Sequence, residues 1–99
     1  MSNDEITLCC MLWAYPGHEA ALTEYEDTVL ALLPEFGGRV YQRVIGSGEH
    51  DHPHEVQILG CPTQAALDTY LTDPRRMALA SVRDATIART ELFPVRLHR

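Results

Sequence analysis

The sequence predicts an α+β domain with the element order strand, helix, strand, strand, helix, strand. Three observations predict it. Four stretches are strand-like in β-branched content and period-two alternation, the intervening stretches carry apolar residues at helical spacing, and Pro or Gly clusters separate the segments. The 99 residues suffice for a single domain, 1–99. A chain of this size buries roughly two-thirds of the surface that its unfolded form exposes.

The first strand is expected over 6–15, apolar on both faces as a central strand is, and ended by Pro16-Gly17. A helix over 18–33 follows. Leu22, Tyr25, Val29, Leu32 and Leu33 form its apolar stripe, while Glu19, Glu24, Glu26 and Asp27 lie largely off it. Glu19 in the first turn suits the helix dipole. Pro34 stops this helix and Gly37-Gly38 turn the chain. The second strand is expected over 39–45 and the third over 54–60, joined by a hairpin through Gly46-Ser47-Gly48 and the polar run to Pro53. Thr63 caps a helix over 64–71. Asp73-Pro74 opens another over 74–85, with Met77, Leu79, Val82 and Ala85 as its contacts. The last strand is expected over 87–97, where Pro94 suits an edge position.

This order describes a ferredoxin-like βαββαβ domain: a four-stranded antiparallel sheet with both helices on one face. The expected strand order is fourth, first, third, second. If Val40, Val44, Val56 and Ile58 face the helices, then Tyr41, Arg43, Glu55, Gln57 and Leu59 face away. Met11, Trp13, Tyr15, Arg89, Glu91, Phe93 and Val95 are assigned to the same open face. That face is too apolar to leave in water, so two copies are expected to pack through it as a homodimer.

Composition excludes several classes. The formal net charge is −6, and residues 1–50 carry eight acids against two arginines. This disfavours nucleic acid and anionic membrane surfaces as partners. No lysine occurs, which removes Schiff-base and phosphate-loop chemistry. The third strand has no aromatic residue on which an RNA base would stack. The turn Tyr15-Pro16-Gly17-His18 lacks the Cys-x-x-Cys of copper carriers. Cys9, Cys10 and Cys61 are expected as reduced thiols, since neighbours in a strand point to opposite faces. No apolar run is long enough to span a bilayer. The acidic start Met1-Ser2-Asn3-Asp4-Glu5 lacks the basic region of a secretory signal, so a cytoplasmic location is expected.

Two stretches carry a resemblance. Phe36-Gly37-Gly38-Arg39-Val40-Tyr41-Gln42-Arg43 is similar to the segment that leads into the second strand of dimeric α+β barrel proteins. Val56-Gln57-Ile58-Leu59-Gly60-Cys61-Pro62-Thr63, followed by Ala65-Ala66 and Tyr70, resembles their third strand and helix entry. That superfamily includes antibiotic-biosynthesis monooxygenases that need no cofactor, muconolactone-type isomerases, polyketide cyclases and many uncharacterised small proteins, which this chain resembles most. The resemblance implies a dimeric α+β barrel with a pocket between each sheet and its helices or within the barrel. Some members bind haem through a helix histidine. Neither 64–71 nor 74–85 contains one, which argues against haem; no cofactor is expected beyond a possible divalent transition metal.

Two constellations could carry chemistry. In the first, Tyr41, Arg43 and Glu55 are the catalytic candidates, as hydrogen-bond donor, enolate or carboxylate clamp, and general base. Trp13, Tyr15, His18, Gln57, Arg89 and Glu91 are the expected ligand contacts. The same charges could instead form a satisfied ion-pair network, with Arg43–Glu55 as a pair. In the second, His50, His52 and His54 stand at alternate positions and would share a face if extended, as ligands for a divalent transition metal, near His18. They could equally form a solvated, pH-responsive loop. Arg83-Asp84 closes the last helix near the same end, where an arginine complements the dipole and Asp84 could partner His18 or a bound ligand. Three readings stay open: a binding protein for a small organic molecule; a cofactor-independent monooxygenase, isomerase or cyclase acting on a small aromatic or polyketide-like substrate; and a metal-binding protein. Whether the chain is an enzyme is left open.

Overall fold

The computed structural model describes residues 5–98; residues 1–4, on which the signal-peptide reading rests, lie outside the described residues. Strand β1 spans Ile6–Ala14 and helix α1 Glu19–Leu30. A single 3₁₀ turn, Leu33–Phe36, precedes strand β2, Arg39–Ile45. Strand β3 spans Glu55–Cys61, and helix α2 Gln64–Leu71. The expected helix over 74–85 is two short ones, α3 at Pro74–Met77 and α4 at Ala80–Thr86. Strand β4 spans Ile87–Val95. Both expected caps form: Thr63 Oγ1 accepts from the Ala66 amide at 3.0 Å, and Asp73 Oδ1 from the Arg75 amide at 2.8 Å.

The sheet runs β2-β3-β1-β4 with every neighbour antiparallel, in the expected order. The helices cover one side. β1 sets the inner face: Leu8, Cys10 and Leu12 are buried, and they pair with Leu59, Gln57 and Glu55 of β3. Directly opposed residues share a face in an antiparallel ladder. One core cluster gathers Leu8, Leu30, Leu33, Leu59, Cys61, Leu67 and Tyr70. The other gathers Cys10, Leu12, Leu22, Tyr25, Val29 and Ile87. Leu22, Val29 and Leu33 are wholly inaccessible to solvent, each contributing about 2 kcal/mol of transfer free energy. Of the contacts expected from 74–85, Leu79 packs against the core, whereas Met77, Val82 and Ala85 are exposed.

The facing of β3 reverses the expectation. Glu55, Gln57 and Leu59 turn toward the helices, and Val56 and Ile58 toward the open side. Both phases of this strand contain apolar residues, so alternation does not choose between them. Pairing with β1 chooses, and it selects the phase of Leu59 and Cys61. Glu55 and Gln57 go inward with them because hydrogen bonds compensate their burial. In β2 the register shifts between Val40 and Gln42, leaving Tyr41 as the unmatched residue. Val40 opposes Leu59, but beyond the shift Arg43 opposes Gln57 on the inner face. Val44 opposes Val56 on the open side, again against expectation.

The open face otherwise holds the residues foreseen for it. Cys9 pairs with Phe93, Met11 with Glu91, and Trp13 with Arg89. Phe93 is 37% exposed, and among the described residues no helix covers this side. Tyr41 lies here too, because Gly60 has no side chain: a Cβ at Gly60 would stand 2.7 Å from Tyr41 Cε2. Pro94 lies on edge strand β4, where a missing amide is tolerated. Among the described residues, no helix is long and apolar enough to cross a membrane.

Candidate functional site

Between the inner sheet face and the helices lies a cavity of about 330 Å³. Its walls are mostly apolar: Leu12, Leu30, Leu59, Leu67, Leu71 and Leu92 contribute to it. Its polar groups are Glu26 from α1, Gln57 from β3, Tyr70 from α2, Arg76 from α3, Arg83 from α4 and Thr90 from β4. Several elements thus converge on one space beside the core.

A hydrogen-bonded chain runs from solvent to this cavity. Exposed Asp27 accepts from Arg43 Nη1 at 2.6 Å. Arg43 also grips Glu55 with two bonds, Nε to Oε2 at 2.7 Å and Nη2 to Oε1 at 3.1 Å. This fork satisfies a fully buried carboxylate. The Gln57 amide then donates to Glu55 Oε2 at 2.8 Å and to Glu26 Oε1 at 2.7 Å. Asp27, Arg43, Glu55, Gln57 and Glu26 therefore form one continuous ladder.

Its two buried carboxyls differ. Glu55 has a cation against it. Glu26, 6% exposed, forms no ion pair among the described residues and has Gln57 as its one side-chain partner. Burial pushes the Glu26 carboxyl above its ordinary pKa; the Gln57 hydrogen bond opposes this, the Glu55 charge adds to it, and the Arg76 and Arg43 charges oppose it. Two neighbours stay protonated. Burial raises Cys10 to about 12, reinforced by Glu26, and burial raises Tyr70 to about 12. Tyr70 Oη donates to the Val29 carbonyl at 2.9 Å and accepts from Arg76 Nη1 at 3.2 Å.

The expected catalytic trio is divided between the two faces. Arg43 and Glu55 meet on the inner side. Tyr41 lies on the other side, donating to Glu5 Oε1 at 2.5 Å beneath the Arg39 guanidinium. Of the expected ligand contacts, only Gln57 lines the cavity. Trp13, Arg89 and Glu91 group on the open face: the Arg89 guanidinium stacks 4.2 Å over the Trp13 ring and bonds to Glu91, and the Trp13 indole donates to the Asp51 carbonyl at 2.9 Å. Tyr15 lies past the end of β1, and exposed His18 sits at the start of α1 without a side-chain cap bond. Asp84 lies 3.9 Å from Arg83.

The histidine run is not extended. His50 and Asp51 have φ of 55° and 64°, the left-handed region, so alternate side chains do not share a face there. The His50 and His52 ring centroids are 6.1 Å apart, while His54 Nε2 lies 3.3 Å from Thr23 Oγ1 of α1. Among the described residues, no three His, Cys, Asp or Glu side chains converge as a metal site.

Glu26 is the cavity residue that the sequence reading set aside. Helical spacing could have found it: it lies four residues after Leu22 and three before Val29, inside the stripe that faces the core. Arg76 carried no such signal.

No protein-family model matches the chain, and no curated protein matches it. Solved structures do. The protein PA3566 from Pseudomonas aeruginosa superposes with a TM-score of 0.75 at 20% identity, over 99% of each chain. SnoaB, a cofactor-independent oxygenase from Streptomyces nogalater, superposes with a TM-score of 0.69 at 18% identity, over 96% of each chain. A dimeric protein of unknown function and ferredoxin-like fold from Bacteroides fragilis superposes with a TM-score of 0.70 at 9% identity, over 98% of this chain and all of that one. At these identities the likeness is one of fold, and the chain has the ferredoxin-like α+β fold that these three proteins share.

Proposed function

We propose that this protein works as a homodimer in which each subunit takes a small organic molecule into the cavity between its sheet and its helices. The observation that carries this reading is a space of about 330 Å³ with mostly leucine walls and a buried carboxyl, Glu26, that forms no ion pair among the described residues. Gln57 touches both the cavity and Glu26, and it is the ligand contact retained from the sequence. Arg43 and Glu55 act behind it as positioning residues, fixing the Gln57 amide through the ladder. Trp13, Tyr41, Arg89 and Glu91 belong to the face between subunits. Arg89 and Glu91 already bond to each other within one chain, which lowers the cost of burying them. The dimeric Bacteroides fragilis protein of like fold supports the pairing.

One observation favours turnover as a second reading. A carboxyl with a raised pKa in an apolar pocket is a stronger base than one in water. Glu26 would take a proton from a bound molecule, the step that opens isomerase, cyclase and cofactor-independent oxygenase reactions. SnoaB, named as such an oxygenase, has this fold.

A thermal-shift screen of small aromatic and aliphatic compounds tests binding. A compound at 100 times its Kd should stabilise the protein by about 2.7 kcal/mol. Leu92→Trp, which fills the cavity, should remove the shift. An equal shift in that variant would place the ligand elsewhere.

A further inference from the structure

We propose that the molecule taken into the cavity is an organic carboxylate, its head held by Arg76 and its hydrocarbon body lying against the leucine walls. This rests on the cavity reading above and adds the ligand's chemical class.

The arginines of this chain are not equivalent. Arg43 grips Glu55 and Asp27; Arg75 grips Asp73 and Glu35; Arg89 bonds to Glu91; Arg39 lies 3.4 Å from Glu5. Arg76 lines the cavity and takes part in none of the ion pairs among the described residues. Its guanidinium carbon lies 4.7 Å from the Tyr70 ring centroid, and its Nη1 donates to Tyr70 Oη. Its Nε is buried with no acceptor among the described residues. A buried donor without an acceptor is unfavourable, and a ligand oxygen would relieve it.

Three features narrow the ligand. The Tyr70 ring and hydroxyl both anchor the Arg76 guanidinium, and a guanidinium edge matches the planar fork of a carboxylate. Arg83 lines the same cavity, with Asp84 at 3.9 Å as its nearest carboxylate partner. Two arginines and one carboxyl, Glu26, thus line one cavity, an excess of positive side chains in a chain whose formal net charge is −6. The remaining walls are mostly leucine, and the Gln57 amide and Tyr70 hydroxyl already donate within the protein, which leaves few donors for a phosphate or a sugar. An anionic head on a compact hydrocarbon body fits this distribution.

Calorimetry with 2-naphthoate and its neutral analogue 2-naphthylmethanol tests the assignment, on the parent, Arg76→Met and Arg76→Lys. Circular dichroism first verifies that each variant folds. The parent should bind the carboxylate at least about tenfold more tightly than the alcohol. Arg76→Met should erase that preference while leaving the alcohol's affinity unchanged, and Arg76→Lys should restore part of it. Equal binding of both probes by the parent, or a preference that survives in Arg76→Met, would overturn the carboxylate assignment and leave the cavity reading standing. No binding of either probe to the parent would overturn both.

Discussion

The side-chain amide of Gln57 lies 2.7 Å from Glu26 Oε1, tying the third strand to the first helix at the cavity wall. The same nitrogen bonds to Glu55, so one amide serves two carboxyls with different compensation. Among the described residues this contact is the one side-chain hydrogen bond of Glu26.

The first prediction concerns pH. The native Glu26 carboxyl is held above its ordinary value, chiefly by burial. In the window between the unfolded and native values, the native state therefore binds more protons. Stability falls as pH rises through that window and stays at the lower level above it. Glu26→Gln keeps an acceptor for Gln57 and has no such proton. Its stability relative to the parent should rise from acid toward neutral pH, as measured by urea unfolding at several pH values. A pH-independent difference would contradict the desolvated carboxyl.

Arg43→Met would leave Glu55 buried without its cation. The expected cost is about 3 kcal/mol, read from chemical denaturation. Adding Glu55→Gln should recover part of that loss, because the uncompensated charge is gone. Additive losses in the double variant would show that the two side chains do not act as a pair.

Phe93 and Ile58 lie on the open face, beside Cys9. Phe93→Arg together with Ile58→Glu should give a folded monomer by light scattering at micromolar concentration, against a dimer for the parent. A parent that is monomeric there would remove the proposed pairing.

The histidine run is expected to bind zinc no better than an ordinary surface. Calorimetry should find the same weak affinity in the parent and in His52→Ala. A tenfold loss in His52→Ala would restore the metal reading.

The sequence carried the element order, the strand order and much of the open face, because punctuation by Pro and Gly and the apolar runs are local signals. It did not carry the facing of β3. Val56 and Ile58 are as apolar as Leu59 and Cys61, and only pairing with Leu8, Cys10 and Leu12 of β1 decides between the phases. Nor could it show the register shift at Tyr41, which separates that residue from Arg43. The Arg43–Glu55 pair was legible as complementary charge on neighbouring strands. Its placement on the helix side was not, since that depends on Asp27 and Gln57 being within reach. Glu26 was hidden by its type: charged residues on a helix are usually solvated, and its position in the stripe argued the other way. The metal reading assumed an extended chain at His50, and the left-handed backbone there removes that assumption.

The central claim is that the sheet–helix cavity is the binding site. Titrating 2-naphthoate into nitrogen-15-labelled protein and following the backbone amides by NMR tests it most directly. The shifts should concentrate at Glu26, Gln57, Leu59 and Arg76, around the cavity. Shifts confined to Met11, Trp13 and Phe93 would contradict the account and move the site to the open face of the sheet.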